Sequence, residues 1–138
     1  MKEKLVKQYK CDYCGKKQLR KHTMVIHETY CTLNPNRSCR MCLILTGVDT
    51  PPKISFKLPV PDYQNISDFG TNLTNKGVLD NALIQLREAT DNCPACILSA
   101  IRKTGSHTSE YGFDFKEECN RFFRENQKEV PDEDYRIY

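Results

Sequence analysis

The 138-residue sequence predicts a small α+β fold stabilised by zinc, with an N-terminal ββα-like unit followed by a mostly helical part of about three helices. Three observations carry that expectation. The first is Cys11-x2-Cys14-x12-His27-x3-Cys31, a complete four-ligand spacing near the N-terminus. The second is a further pair of CxxC motifs, Cys39–Cys42 and Cys93–Cys96. The third is a change of the apolar period to that of a helix from Val78 onward.

In the first spacing, two cysteines two residues apart sit on a tight turn and point the same way, while a His and a Cys four apart share one helix face. The four can close a tetrahedron around zinc. This is the Cys2His2 zinc-finger spacing with Cys31 in place of the last histidine. Tyr9 and Met24 fall where such fingers carry the apolar residues that cover the metal. Gln18 stands where an aromatic is usual, so Leu19 is expected to fill the gap and the second strand to be distorted. A unit this short buries little apolar surface, so zinc has to supply on the order of 10 kcal/mol of its folding free energy. Four protein ligands leave no coordination position for water, which makes the metal structural. Disulfide pairs or unrelated cysteines are the competing reading.

Only 38% of the residues are hydrophobic and tryptophan is absent, so the core is modest and metal staples would help it. Eight cysteines could mark a secreted disulfide scaffold. Against that, the opening MKEKLVKQYK has no apolar run of the secretory type, and no stretch reaches membrane-spanning length. The expected setting is a reducing cytoplasm with zinc-bound thiolates.

Charge is unevenly placed. Residues 1–46 carry ten Lys/Arg against three Asp/Glu, whereas residues 47–138 carry eleven against fifteen. Lys16, Lys17, Arg20 and Lys21 fall between the first CxxC and the finger helix, where their field would attract phosphates. Equally, they read as a solvated face or as compensation for zinc thiolates. Docked like a DNA-reading finger, the unit would place Arg20 just before the helix, where guanine N7 and O6 are commonly met, with Thr23 and Ile26 farther along the outer face. One finger reads only about three base pairs, so it does not give sequence specificity by itself.

Along the chain, Met1 to Tyr9 is a basic leader, frayed or a first strand. Asn34-Pro35-Asn36 is a turn that stops the finger helix, which sets the first unit at residues 1–36. A second region, 37–130, contains a loop-rich insertion at 47–77. Within that insertion Ile54, Phe56, Leu58 and Val60 alternate like a strand, and Pro59 and Pro61 make it an edge strand at best. Leu79, Ala82, Leu83, Leu86 and Ala89 mark a helix face running to about Thr90. Asp91 or Asn92 caps a next helix, with Cys93 and Cys96 in its first turn, Ile97, Leu98 and Ile101 buried, and Gly105 as its stop. There the helix dipole favours thiolates. Residues 106–112 read as a loop. Phe113 or Asp114 opens a last helix with Phe115, Cys119, Phe122 and Phe123 on one face, Cys119 being a buried thiol outside the metal spacings. Residues 131–138 form an acidic tail.

An early CxxC knuckle followed by a CxxC in the first turn of a later helix resembles the treble-clef class of zinc sites. That resemblance implies a second, four-thiolate structural zinc held by Cys39, Cys42, Cys93 and Cys96, and two Zn2+ in all. The run His27-x3-Cys31-x2-Asn34-Pro35-Asn36-Arg37-x-Cys39 is similar to the small zinc-finger proteins of bacteriophage genomes. It implies a phage or mobile-element protein in the cytoplasm of a bacterial host, without a defined activity.

The expected function is therefore non-catalytic nucleic-acid binding, DNA or RNA, through phosphate contacts from Lys16, Lys17, Arg20, Lys21, Arg37 and Arg40. The alternative is an adaptor or inhibitor docking on a larger host or phage complex through the acidic half and the Phe-rich last helix. An enzyme of the His-metal nuclease type would have to use the remaining histidines, His22 and His107, and neither sits beside an acidic ligand pair. No membrane association is expected.

Overall fold

The N-terminal unit is organised by one turn. In the computed structural model, which describes residues 1–65 and 70–126, strands β1 (Tyr9–Lys10) and β2 (Lys17–Gln18) pair antiparallel with Tyr9 opposite Gln18. Between them the Cys11 N–H donates to the Lys16 carbonyl at 2.8 Å and the Gly15 N–H to the Cys11 carbonyl at 3.0 Å. Gly15 holds φ at +78°, which a side chain would strain. Helix α1 (Lys21–Tyr30) follows and buries Met24 and His27. Asn34 closes its end: Nδ2 donates to the Glu28 carbonyl at 2.8 Å, and Oδ1 accepts from the Asn36 N–H at 2.9 Å. The Asn-Pro-Asn turn thus stops the helix and also satisfies one of its last carbonyls.

Cys11, Met24 and Cys31 are the buried apolar residues of this unit, with Tyr9, Cys14 and Leu33 packed on them. Leu19 does not fill the gap at Gln18. It follows β2 in a bend that turns it outward, and it is 65% exposed. Leu33, after the end of α1, packs on the Cys11, Met24 and Cys31 cluster.

Among the described residues the rest of the chain contains more helix than the sequence predicts, four α-helices and a 3-10 turn against about three helices. They are α2 (Arg40–Thr46), α3 (Lys76–Thr90), α4 (Pro94–Lys103), a 3-10 helix at Thr108–Tyr111 and α5 (Phe115–Glu125). Helix α2 has seven residues and an apolar run without helical period, so the sequence pattern hides it. Gly47 ends it in the left-handed region at φ 77°, donating its N–H to the Leu43 carbonyl. The insertion holds a second antiparallel pair, β3 (Tyr63–Asn65) and β4 (Thr71–Leu73). The segment Ile54–Val60 is no strand. It lies on the helices as irregular chain with a bend at Phe56, with Leu58 buried, Ile54 and Phe56 partly buried and Val60 59% exposed. The Tyr111 hydroxyl donates to the Pro59 carbonyl and ties this segment to the 3-10 helix.

Helix α3 buries Leu79, Ala82, Leu83 and Leu86, then Thr90 in place of the expected Ala89, which is exposed. Its link to α4 is three residues, Asp91, Asn92 and Cys93, the first two at positive φ. Asp and Asn tolerate that region better than other side chains. Cys93 itself is the N-cap of α4, so neither Asp91 nor Asn92 is. Helix α5 opens at Asp114, whose side chain accepts from the Glu117 N–H, and it buries Cys119, Phe122 and Phe123. The acidic tail at 131–138 and the end of the second region, 127–130, lie outside the described residues.

Arg87 on α3 grips Glu118 on α5 through both nitrogens of its fork, at 3.0 and 2.7 Å. The Arg87 guanidinium holds the Glu118 carboxyl below its ordinary value. Glu118→Gln is expected to cost about 2 kcal/mol, the scale of charge-assisted hydrogen bonds. Because the folded-state value is depressed, this contribution is complete above the unfolded carboxyl value of about 4.3 and fades as pH falls through the folded one. Urea unfolding of both forms side by side should show the full difference near pH 7 and a shrinking one below about pH 4.3.

Candidate metal centres

Two groups of side chains can each hold a metal ion. In the first, one ligand atom each from Cys11, Cys14, His27 and Cys31 lies within 4.8 Å of all the others. The Cys11 and Cys31 sulfurs are 3.8 Å apart, and Cys14 Sγ is 3.2 Å from His27 Nε2. Zinc–sulfur bonds of about 2.3 Å at tetrahedral angles put sulfurs about 3.8 Å apart, so this spacing fits. The knuckle between β1 and β2 presents Cys11 and Cys14. Helix α1 presents His27 one turn before Cys31 at its C-cap.

The second group is Cys39, Cys42, Cys93 and Cys96, all buried and within the same 4.8 Å. Its sulfur–sulfur distances are 3.6 Å for Cys39–Cys93, 3.7 Å for Cys42–Cys93, 3.3 Å for Cys42–Cys96 and 3.9 Å for Cys39–Cys96. These match the edges of a zinc–thiolate tetrahedron and are far from the roughly 2.05 Å of a disulfide. No disulfide is formed. Cys39 caps α2 and accepts the Cys42 N–H at 3.4 Å, while Cys93 caps α4 ahead of Pro94. Both CxxC pairs therefore stand at helix N-termini. The first was expected on a loop knuckle and is instead the opening turn of α2.

Hydrogen bonds from Cys42, Cys93 and Cys96 hold the Cys39 thiol far below its ordinary value, while hydrogen bonding with Cys39, Cys42 and Cys96 pushes Cys93 up. Four thiolates this close cannot all ionise without a cation between them. A divalent metal would supply that charge. In the first group burial pushes the Cys31 thiol up to about 11.

One cation belongs to the second group directly. Arg37 is only 7% exposed, its Nη2 donates to Cys96 Sγ at 3.2 Å, and its Nε donates to Ser99 Oγ at 3.2 Å. Ser99 in turn donates to the Thr32 carbonyl at 2.6 Å, and Arg102 Nη1 reaches Thr32 Oγ1 at 2.6 Å. Thr32 follows Cys31, so this network joins the two centres. Arg37, expected from the sequence as a phosphate contact, is buried instead, drawn inward by the cysteine cluster to which it donates. The signal in the sequence was its position two residues before Cys39.

The other cations stay outside. Lys17, Arg20, Lys21 and Arg40 are exposed and Lys16 is half-buried. Arg40 lies over the Tyr30 ring at 5.9 Å. Thr23 is exposed and Ile26 half-buried. His22 and His107 are exposed, His107 capping the 3-10 helix, and neither belongs to a metal-holding group among the described residues. Cys119 packs in the same core as the second group without joining it. No described helix is long and apolar enough to cross a membrane. No protein-family model, curated protein or solved structure matches this chain, so what the residues can do is read from their own chemistry.

Proposed function

We propose that the chain is a zinc-dependent, non-catalytic nucleic-acid-binding protein of the phage or mobile-element type, acting in a bacterial cytoplasm, with two structural zincs. Two complete four-ligand sets support the structural role of the metal, since a closed tetrahedron offers no position for substrate. The observation that carries the nucleic-acid reading is the start of α1. Arg20 is its N-cap, Lys21 its first residue, and no acidic side chain stands in its first turn. Cations at a helix N-terminus oppose the macrodipole at about 0.3–1 kcal/mol each. A phosphate placed there would relieve both the repulsion and the unsatisfied N–H groups.

Five cations then serve the phosphates, Lys16, Lys17, Arg20, Lys21 and Arg40, with Arg37 assigned to the zinc. The adaptor reading relied on Phe122 and Phe123, which are buried in the chain's own core, so a partner on α5 would have to meet its charged face. Neutralising Lys16, Lys17, Arg20 and Lys21 together tests the proposal. Four phosphate contacts on a duplex give a log–log salt slope of about −3.6, or about a 150-fold loss of affinity between 50 and 200 mM salt. The quadruple variant should keep its zinc and lose most of that slope. A salt-independent affinity in the unaltered protein, or an unchanged slope in the variant, would remove the reading.

A further inference from the structure

A groove of about 980 Å³ runs between residues 49–60 and one face of α4, and no part of the nucleic-acid reading uses it. Its charged lining is Arg37, Lys53, Lys57 and Lys103 against Asp49 alone. This concentration is unexpected, because three of the four cations come from residues 47–138, where acids outnumber bases. None of the three lysines is ion-paired among the described residues. Phe56, Leu58 and Ala100 add apolar wall, with Phe56 only partly buried. Arg37 supplies the sharpest observation. It is more than nine-tenths buried, and while Nε and Nη2 are engaged, its Nη1 has no hydrogen-bond partner among the described residues.

A buried guanidinium nitrogen without an acceptor is costly, and an anion is the partner its chemistry calls for. Several cations converging on one groove exceed what a single carboxylate balances, whereas a phosphomonoester brings up to two charges and three acceptor oxygens. Burial and the Arg37 charge also hold the Lys103 ammonium below its ordinary value, a repulsion that an anion between them would relieve. The volume lies at the upper end of the about 300–1,000 Å³ of small-molecule sites, enough for a body the size of a nucleoside. We propose that this groove binds a phosphomonoester carrying an apolar or aromatic body, its phosphate between Arg37 and Lys103 and its body against Phe56. The phosphomonoester could come from a free mononucleotide or from the phosphorylated end of a nucleic-acid chain.

The experiment uses the zinc-loaded full chain and adenosine 5′-monophosphate, followed by amide chemical shifts. Saturable one-site shifts in residues 53–60 and 99–104 are expected, with adenosine at least tenfold weaker. Lys103→Glu and Lys57→Glu should each weaken binding at least tenfold, and the quadruple variant at Lys16, Lys17, Arg20 and Lys21 should leave it unchanged. That last comparison separates failure of the groove from failure of the finger surface. A 5′-phosphorylated tetranucleotide that competes where its 5′-hydroxyl form does not would identify the chain end as the source. Failure to compete would identify the free nucleotide. Shifts absent at millimolar probe, or confined to residues 16–21, would overturn the proposal.

Discussion

Cys96→Ser is expected to lower bound zinc from two to one per chain and to unfold the helical part. The reason is the composition of the core around the second centre. Of its nine buried residues, four are the ligand cysteines, and the others, among them Met41, Phe122 and Phe123, pack around them. Structural zinc contributes about 10–16 kcal/mol in small metal-folded units, comparable to the whole stability of a domain at about 5–15 kcal/mol. A serine hydroxyl does not replace a thiolate at zinc, and it would leave the Arg37 Nη2 donor facing a weaker acceptor inside the core. Native mass spectrometry reads the metal count and far-UV circular dichroism reads the helices. Cys119→Ser is the matched control, because Cys119 is equally buried in the same core and outside both ligand sets. It should keep two zincs and the helices. Cys31→Ser should remove one zinc as well, yet leave α3 to α5 folded, because their cores do not draw on the first unit. One zinc in both the unaltered chain and Cys96→Ser, with unchanged helicity, would mean that the four thiols pack together without a metal.

The two centres differ in how far the sequence alone reveals them. The first is legible because its ligands are local: one turn and one helix set Cys11, Cys14, His27 and Cys31, and spacing on those elements is nearly geometry. The second joins residues more than fifty positions apart, so spacing cannot choose the partner pair, and only the fold brings Cys39 to 3.6 Å from Cys93. Helices α3, α4 and α5 show a strong apolar period and are legible, whereas α2 is seven residues of mostly apolar chain whose helicity depends on its Cys39 cap and Gly47 stop. Arg37 was misplaced for a related reason. A surface cation and a buried thiolate partner look alike in a sequence, and the difference lies in a cluster assembled from both halves of the chain. The cationic groove was hidden in the same way, behind the net acidity of residues 47–138.

Arg37→Met is expected to weaken zinc at the second centre about 10–100-fold and to lower stability by about 3 kcal/mol. Four thiolates around a divalent cation leave two negative charges in a buried site, and Arg37 is the cation hydrogen-bonded to one of them, at 3.2 Å from Cys96 Sγ. Loss of such outer partners costs about 10–100-fold in metal affinity, and breaking a buried charge pair costs about 3–5 kcal/mol; sharing of thiolate charge with the metal sets the lower figure here. Methionine keeps the length of the stem and removes every donor. Arg37→Lys keeps the charge, but a single ammonium lacks the planar fork that serves Cys96 and Ser99 together, so it should recover only part of the loss. Ser99→Ala cuts the link to the Thr32 carbonyl while leaving the Cys96 bond in place, and about 1 kcal/mol is expected from it. Competition with a chelator, monitored by the two-step release of zinc, separates the centres: only the release assigned to the second should move. A surface phosphate contact at Arg37 would behave oppositely, lowering the salt slope of nucleic-acid binding by about one and leaving both zincs as tightly held as before.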